Sequence, residues 1–375
     1  MLHAEFSANW GGQEFRVIEQ MEWLRRAGHR VGLACRPDSE VAAWATRRDL
    51  PVHPLVFRGV YNPLSMARER RLIRREGYQV ADCHGLRDAV AFAAARGRCA
   101  VVRTQHVTGM VKGGWRHRML WHDACDHVIA TAGRIKEELL AERLTEDDHV
   151  TVIGEWAADD FFRLEDKARH RAGVRAEFGL RPDQPMIVNV GMLRHDKGQE
   201  YLIEAGARLR EAGSDAVIVL VGGSTAQAAH EAVSHEMILR RRVAELALAE
   251  RVIFAGYRHD VARLVQAADV QVVASVAVEG QSRTVPQAFA AAVPVVATRM
   301  GGLPELVAHE RTGLLVAPRD AGAIARAVAD MLHGGPAVAA MTDAARAFAV
   351  AHLSIDAKMT ETLALYRRLI AAKRG

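Results

Sequence analysis

The chain has 375 residues, half of them apolar and a quarter charged, with a formal net charge of +5. That composition can bury two cores of ordinary size but is long for one, so two domains are expected. No run approaches the roughly 18 uncharged apolar residues that span a bilayer, and Met1 leads into apolar, strand-like sequence without a basic leader or cleavage site, so a cytoplasmic protein is expected. Cys35, Cys83, Cys99 and Cys125 are scattered, form no C-x-x-C pair and lie in apolar or strand-like sequence, which predicts buried free thiols and neither disulfides nor zinc.

Short apolar runs alternate with amphipathic segments along the whole chain, the pattern of βα units around a parallel sheet. In the first half, strands are predicted over 31–35, 51–56, 80–84, 100–104, 128–131 and 150–153, after a first strand at the N-terminus. Between the first two lies a predicted helix over 12–27, in which Phe15, Ile18, Met21, Trp23 and Leu24 recur at near-helical spacing before the stop at Ala27-Gly28-His29. The charged stretch 163–185 reads as a linker plus the first helix of a second domain. A second series follows, with strands near 187–191, 216–222, 252–255, 270–274 and 293–297 and helices over 198–212, 235–249, 258–267 and 283–292. A last amphipathic helix after about residue 350 carries Leu363, Leu365, Tyr366 and Leu369. The expected division is 1–162 and 163–349, with 350–375 packing back on the first domain. Two doubly wound domains facing one another would leave a cleft at the C-terminal ends of their strands, where open α/β sheets bind ligands.

Charge is unevenly spread. From Arg58 to Arg118 there are thirteen Lys/Arg against four Asp/Glu, densest at Arg68, Arg70, Arg71, Arg74 and Arg75. This is either a solvated arginine-rich helix face or a surface for anionic lipid or a phosphorylated acceptor, since each basic residue near an anionic membrane contributes roughly 1 kcal/mol. Nucleic acid is not expected, because the stretch has no interleaved aromatics and no nucleic-acid motif.

The chemistry concentrates between Val278 and Pro318, VEGQSRTVPQAFAAAVPVVATRMGGLPELVAHERTGLLVAP. Glu279-Gly280 follows a predicted strand and Ser282 precedes a predicted helix starting near Arg283. A helix start offers unpaired N–H groups and a positive dipole end, so Arg283, Thr284 and Val285 suit a phosphate oxygen. Glu279 can accept hydrogen bonds from hydroxyls, and Gln287 can both donate and accept. A second signal is Gly191-Met192-Leu193-Arg194-His195-Asp196-Lys197-Gly198, between a strand and a helix, where two cations can embrace a diphosphate and neutralise it as a leaving group. In the first half, Asn9-Trp10-Gly11-Gly12-Gln13-Glu14 joins the first strand to the first helix, and its paired glycines would permit positive φ and close approach to a ligand. His84 and His106 both fall just after strands, where cleft residues belong. Neither G-x-G-x-x-G nor a Walker P-loop occurs, which argues against a nicotinamide dehydrogenase.

The run Glu279-Gly280 to Gln287-Ala288-Phe289-Ala290, then Val293-Pro294-Val295-Val296-Ala297-Thr298, Gly301-Gly302-x-Pro304-Glu305 and Thr312-Gly313-Leu314-Leu315-Val316, resembles the donor-site signature of family 4 glycosyltransferases (glycosyl transferases group 1). The resemblance implies an α/β GT-B fold of two Rossmann-like doubly wound domains facing a central cleft. It also implies a nucleoside-diphosphate-sugar donor and transfer with retention of configuration. Glu279 would contact donor-sugar hydroxyls, and Thr284 and Val285 would offer N–H groups to the distal phosphate. The 191–198 stretch is similar to the family's G-x-L-x-x-x-K-G loop, with Lys197 at the phosphate-binding lysine. Many relatives carry arginine where this chain has Met192, and Arg194 is expected to take that role. Where relatives carry a second acid that binds ribose, this chain has Gln287, which lacks charge assistance. The Gly11-Gly12 loop resembles the family's glycine-rich opening loop, and Arg103-Thr104-Gln105-His106 its Arg-Thr-x-His element, whose histidine is expected near the donor sugar.

The expected activity is sugar transfer to a hydroxyl acceptor, a glycan or lipid-linked precursor of the kind used in lipopolysaccharide or exopolysaccharide biosynthesis, by a protein that is cytoplasmic or peripheral on the inner face of the membrane. Arg194, Lys197, Glu279 and His106 are the expected catalytic residues. Gly11, Gly12, Gly191, Ser282, Arg283, Thr284, Val285 and Gln287 are expected at the donor. No cofactor and no metal are expected, because the sequence contains no Asp-x-Asp and the cations would stabilise the diphosphate. A sugar-nucleotide 2-epimerase of the same architecture, or a non-catalytic nucleotide-sugar-binding paralogue, is the alternative.

Overall fold

The computed structural model describes residues 1–8, 10–55, 62–109, 113–223, 234–277 and 279–374. Asn9, Val278, residue 56 of the strand predicted over 51–56, and Arg58 and Lys112 of the basic stretch lie outside them. The chain divides into two compact units, one of Met1–Gly154 with Asp356–Gly375 and one of Glu155–Ile355.

The first unit is built on seven parallel strands: β1 (Leu2–Glu5), β2 (Gly32–Cys35), β3 (Val52–Pro54), β4 (Val80–Cys83), β5 (Ala100–Gln105), β6 (His127–Ala130) and β7 (Val150–Val152). Their order in the sheet is β3-β2-β1-β4-β5-β6-β7. The second unit has β8 (Met186–Val190), β9 (Val217–Val221), β10 (Val252–Gly256), β11 (Val270–Val273), β12 (Val295–Thr298) and β13 (Leu314–Val316), in the order β10-β9-β8-β11-β12-β13. Runs such as Val217–Val221 are apolar at every position because helices cover both faces of a parallel sheet. Alternate residues of β8 therefore serve different cores: Met186 and Val188 pack with Val174, Leu264 and Phe289, while Ile187 packs with Leu202, Ile203 and Val328. In each sheet the chain winds one way from a central strand and then returns to wind the other way. The reversals fall between β1 and β4 and between β8 and β11, and ligands bind at such switch points beyond the strands' C-terminal ends.

The boundary between the units falls at 154/155, earlier than the 162/163 expected from composition. Ala157 and Phe161 belong to the second unit's core, and the Ala157 N–H donates to the Leu353 carbonyl over 2.9 Å. The return boundary is also later than 350. Helix Pro336–His352 buries Ala345 and Ala349 in the second unit, and only Ile355–Ala372 carries the chain back. There Leu365 and Tyr366 pack on Val80, Val102 and Ile129. The stretch expected as linker and helix holds helix Lys167–Glu177, anchored where Arg175 donates to Asp269 Oδ2 over 2.7 Å. Three helices are shorter than their periodicity predicted by three residues or more. They run His235–Glu245, Val261–Ala267 and Thr284–Ala290 instead of 235–249, 258–267 and 283–292. All four cysteines are buried and free. Among the described residues no helix is long and apolar enough to cross a membrane.

The basic run lies on helix Pro63–Glu76, capped by the Asn62 side chain and closed by Gly77 at φ 68. Ser65, Glu69 and Ile73 form its buried stripe, and Arg68, Arg70, Arg71, Arg74 and Arg75 are exposed. Burial pushes the Glu69 carboxyl up to about 7. Its proton is therefore held by the folded chain between the unfolded value and about 7, and the stability this gives is lost as pH rises through that window. Glu69→Gln keeps the shape without the titration. Its stability relative to the parent should be flat below about pH 4.5 and should rise to a gain of roughly 3 kcal/mol by pH 8. Urea unfolding at pH 4, 6 and 8 measures this, and a difference independent of pH would show that Glu69 keeps an ordinary pKa.

Candidate active site

In the second unit, the loop after β8 and the loop after β11 leave the sheet on either side of its switch point. The first runs from Gly191 through a tight turn, His195–Lys197, to Gly198 and helix Gln199–Glu211. It is seated by glycines. Gly198 has φ +63, and a Cβ there would stand 2.1 Å from the Ala274 carbonyl oxygen, so no larger residue fits where this loop touches the end of β11. The Val276 N–H donates to the Asp196 carbonyl over 2.9 Å, joining the two loops through their backbones. Gly191 is pressed from the other side by Gly222, and its N–H donates to Val221 O over 2.9 Å.

This seating brings the Lys197 ammonium 2.8 Å from Glu279 Oε2. The same oxygen accepts from the buried Ser275 hydroxyl over 2.5 Å, and Thr298 donates to the Ser275 carbonyl over 2.6 Å. Glu279 is buried (6% exposed), where a polar group needs such donors. Its backbone is fixed by the pair Gly301-Gly302: the Gly302 N–H donates to Gly280 O over 2.9 Å, and a Cβ on Gly301 would lie 1.8 Å from Glu279 O. The cationic loop and the turn past Glu279 thus meet, as a site gripping a pyrophosphate requires.

Other second-unit residues fall less simply. Arg194 does not reach Glu279: its Nε donates to Asp196 Oδ1 over 2.8 Å within its own loop, and its side chain is 44% exposed. Ser282 and Thr284 share a hydroxyl–hydroxyl bond of 3.0 Å at the start of the helix. The Val285 N–H already donates to Ser282 O over 3.3 Å, the residue is fully buried, and Pro286 has no N–H, so Thr284 is the better-placed donor. The Arg283 guanidinium lies 5.7 Å from the centre of the Trp156 ring, and Gln287 is half-buried one turn into the helix.

In the first unit, Gly11 is the N-cap of helix Gly12–Arg26 at φ −164, an extended conformation open to any residue, and Gly12 is helical. The positive φ expected of this pair is therefore absent at Gly11. What the loop holds instead is acid: Gly11 N–H donates to Glu14 Oε2 over 2.8 Å, and Glu5 accepts from Ser7 N–H over 2.8 Å and from Gln13 over 2.5 Å. Burial, and then the neighbouring Glu14, push the Glu5 carboxyl up to about 7. His84 and His106 come together, with His84 Nδ1 3.1 Å from His106 Nε2. Sequence reasoning missed Ser275, Glu5, His3 and Asp82. Polar residues inside otherwise apolar strands were the available signal for the last three, and nothing local marks Ser275 until β11 is known to end beside Glu279.

Residues 10–155 match the Glycosyltransferase Family 4 model and residues 170–348 the Glycosyl transferases group 1 model. The chain belongs to the family 4 glycosyltransferases. A curated relative, the GDP-mannose-dependent alpha-(1-6)-phosphatidylinositol monomannoside mannosyltransferase of Mycolicibacterium smegmatis, is 35% identical over 188 residues, covering 48% of this chain and 47% of that protein. The chain spans about half the length of the curated relatives it matches. Among solved structures, a glycosyltransferase from Rickettsia africae aligns with a TM-score of 0.86 at 19% identity, covering 98% of each chain. HepE of Anabaena in complex with UDP-glucose aligns with a TM-score of 0.80 at 21% identity, covering 97% of this chain and 98% of that one. These likenesses identify the fold of this family 4 member as GT-B, with two Rossmann-like parallel sheets.

Proposed function

We propose that the protein transfers a sugar, with retention of configuration, from a nucleoside-diphosphate-sugar to a hydroxyl acceptor. The observation that carries this reading is the 2.8 Å pair of Lys197 and Glu279 at the switch point of the second sheet. A lysine held by a buried carboxylate, beside a helix start with a donor at Thr284, offers positive charge where a pyrophosphate would develop negative charge. Glu279 then serves two partners, fixing the Lys197 ammonium and accepting from donor-sugar hydroxyls. Gln287 is assigned to the ribose and His106 to the family's sugar-side histidine. In the transfer step the bond from the anomeric carbon to the diphosphate oxygen breaks, and the acceptor oxygen forms its bond on the same face. The acceptor proton passes to the departing phosphate oxygen, so no separate protein base is needed. Arg194 contributes by releasing Asp196 and turning to the phosphates. No metal is required in this scheme, because Lys197 and Arg194 supply the charge.

The relative that acts on a phosphatidylinositol monomannoside supports a lipid-linked acceptor, as does the exposed arginine face of helix Pro63–Glu76. Incubation of the pure protein with a panel of nucleotide sugars, with and without cell lipid extract, should release nucleoside diphosphate from one donor and faster with lipid. No release from any donor would reject the transferase reading, and a free rearranged sugar without acceptor would support the epimerase. Replacing Arg70, Arg71, Arg74 and Arg75 together should weaken sedimentation with anionic vesicles at low salt, by roughly 1 kcal/mol per residue at most. Equal sedimentation of parent and variant would leave the arginines as a solvated face.

A further inference from the structure

Three adjacent strands of the first sheet, β1, β4 and β5, carry polar side chains on one face. The register pairs His3 with Asp82 and Asp82 with Val102, so strand alternation puts His84, Thr104 and the ring of His106, just past β5, on that face too. His3 Nδ1 lies 3.1 Å from His84 Nε2, and His84 Nδ1 lies 3.1 Å from His106 Nε2. Both nitrogens of the buried His84 ring are thereby engaged by other imidazoles.

A neutral imidazole has one donor and one acceptor nitrogen, so only two proton arrangements satisfy both contacts. In one, the protons sit on the Nε2 atoms of all three rings. His3 Nε2 is buried and has no hydrogen-bond partner among the described residues, so that arrangement strands a buried N–H. In the other, all three protons sit on Nδ1. His3 donates to His84, His84 donates to His106, and at His3 only a lone pair is left unmatched.

Burial, then charge, keeps the His3 and His84 rings neutral. The fully buried Arg16 donates to the Gly154 and Ile153 carbonyls, and burial, followed by the Arg16 charge, holds the His84 pKa down to about 3. Asp82 is itself satisfied, accepting from Thr104 over 2.7 Å and from Tyr366 of the returning helix over 2.5 Å. His3, Asp82 and His84 are also a set that could ligate a metal, their atoms lying within 4.8 Å of one another. A dication there would join the buried Arg16 charge with one carboxylate to offset both, which the electrostatics disfavours.

We propose that His84, backed by His3, is a positioning residue that locks His106 in the neutral form protonated on Nδ1, so that His106 meets its ligand as an N–H donor. This rests on the sugar-side role assigned to His106 above. Histidine-labelled, deuterated full-length protein should show a scalar coupling between His84 Nδ1 and His106 Nε2 across the hydrogen bond, with the proton of His106 on Nδ1. His84→Phe should abolish the coupling, leave His106 a tautomer mixture, and lower kcat roughly tenfold with little change in the donor KM. A His106 proton on Nε2, or one bound equivalent of zinc, in the unsubstituted protein would overturn the proposal without need of the variant's fold. His106→Ala separates the two readings: full transfer activity in that variant removes the sugar-side role even where the coupling is present, whereas an inactive variant with no coupling in the parent rejects the positioning alone.

Discussion

Lys197→Gln should lower kcat/KM for sugar transfer by about 10²–10³-fold, the effect of removing one fixed donor from a developing negative charge. The loss should fall mainly on kcat, because the diphosphate carries more charge in the transition state than in the bound donor. A second consequence follows from the burial of Glu279. Its carboxylate accepts from Lys197 and Ser275, so the single variant removes a charged partner from a buried carboxylate and should also lower the midpoint of thermal unfolding. Lys197 is about a quarter exposed, so water softens this penalty to roughly 1–2 kcal/mol. The double variant Lys197→Gln, Glu279→Gln removes the carboxylate charge as well and separates the two effects: stability should return toward the parent while transfer stays low. Parent-like transfer in Lys197→Gln would withdraw the diphosphate from this loop. Recovery of activity in the double variant would make the pair structural only.

How much of this was legible in the sequence depended on whether the signal was local. The strands announced themselves because burial on both faces requires unbroken apolar runs, and β9 is the clearest example. The unit boundary was not legible, because Ala157 and Phe161 read like any apolar residues and their membership of the second core depends on Leu353, far away in the chain. Lys197 and Glu279 could be named from their motifs, yet nothing in either motif says that the two side chains touch. That contact depends on parallel strands β8 and β11 being neighbours, a consequence of the sheet order alone.

Glycines show the same divide. Gly11 and Gly12 looked like a site because they are paired, and Gly11 proved to be extended with no demand for glycine. Gly198 and Gly301 are each forced by a carbonyl oxygen of another segment, Ala274 and Glu279 respectively, which no local pattern reveals. The histidine row illustrates the reverse case. His3 and Asp82 sit inside strands that otherwise read as core, with His84 just past β4, and a buried polar residue there requires partners that only the register supplies.

Gly301→Ala is the sharpest test of how Glu279 is held. Gly301 has φ +53, so alanine incurs about 1–2 kcal/mol of left-handed strain before any contact is counted. Its Cβ would also fall 1.8 Å from the Glu279 carbonyl oxygen and 2.7 Å from the carbonyl carbon, which are backbone atoms that no rotamer change can move aside. The turn carrying Glu279 must therefore shift, and with it the carboxylate that holds Lys197. Gly213→Ala in the same unit supplies the comparison, because Gly213 has φ +85 and nothing lies within 4 Å of its added Cβ. Gly213→Ala should lose only the conformational strain and keep full transfer. Gly301→Ala should lose roughly 2–4 kcal/mol of stability and at least about tenfold in kcat/KM, since misplacing a site by an ångström lowers rates by orders of magnitude. Urea unfolding and steady-state kinetics on the two variants measure the difference. If both behave alike, the packing of Gly301 against Glu279 has no part in positioning the carboxylate, and the family's Gly-Gly pair at this point serves the turn alone.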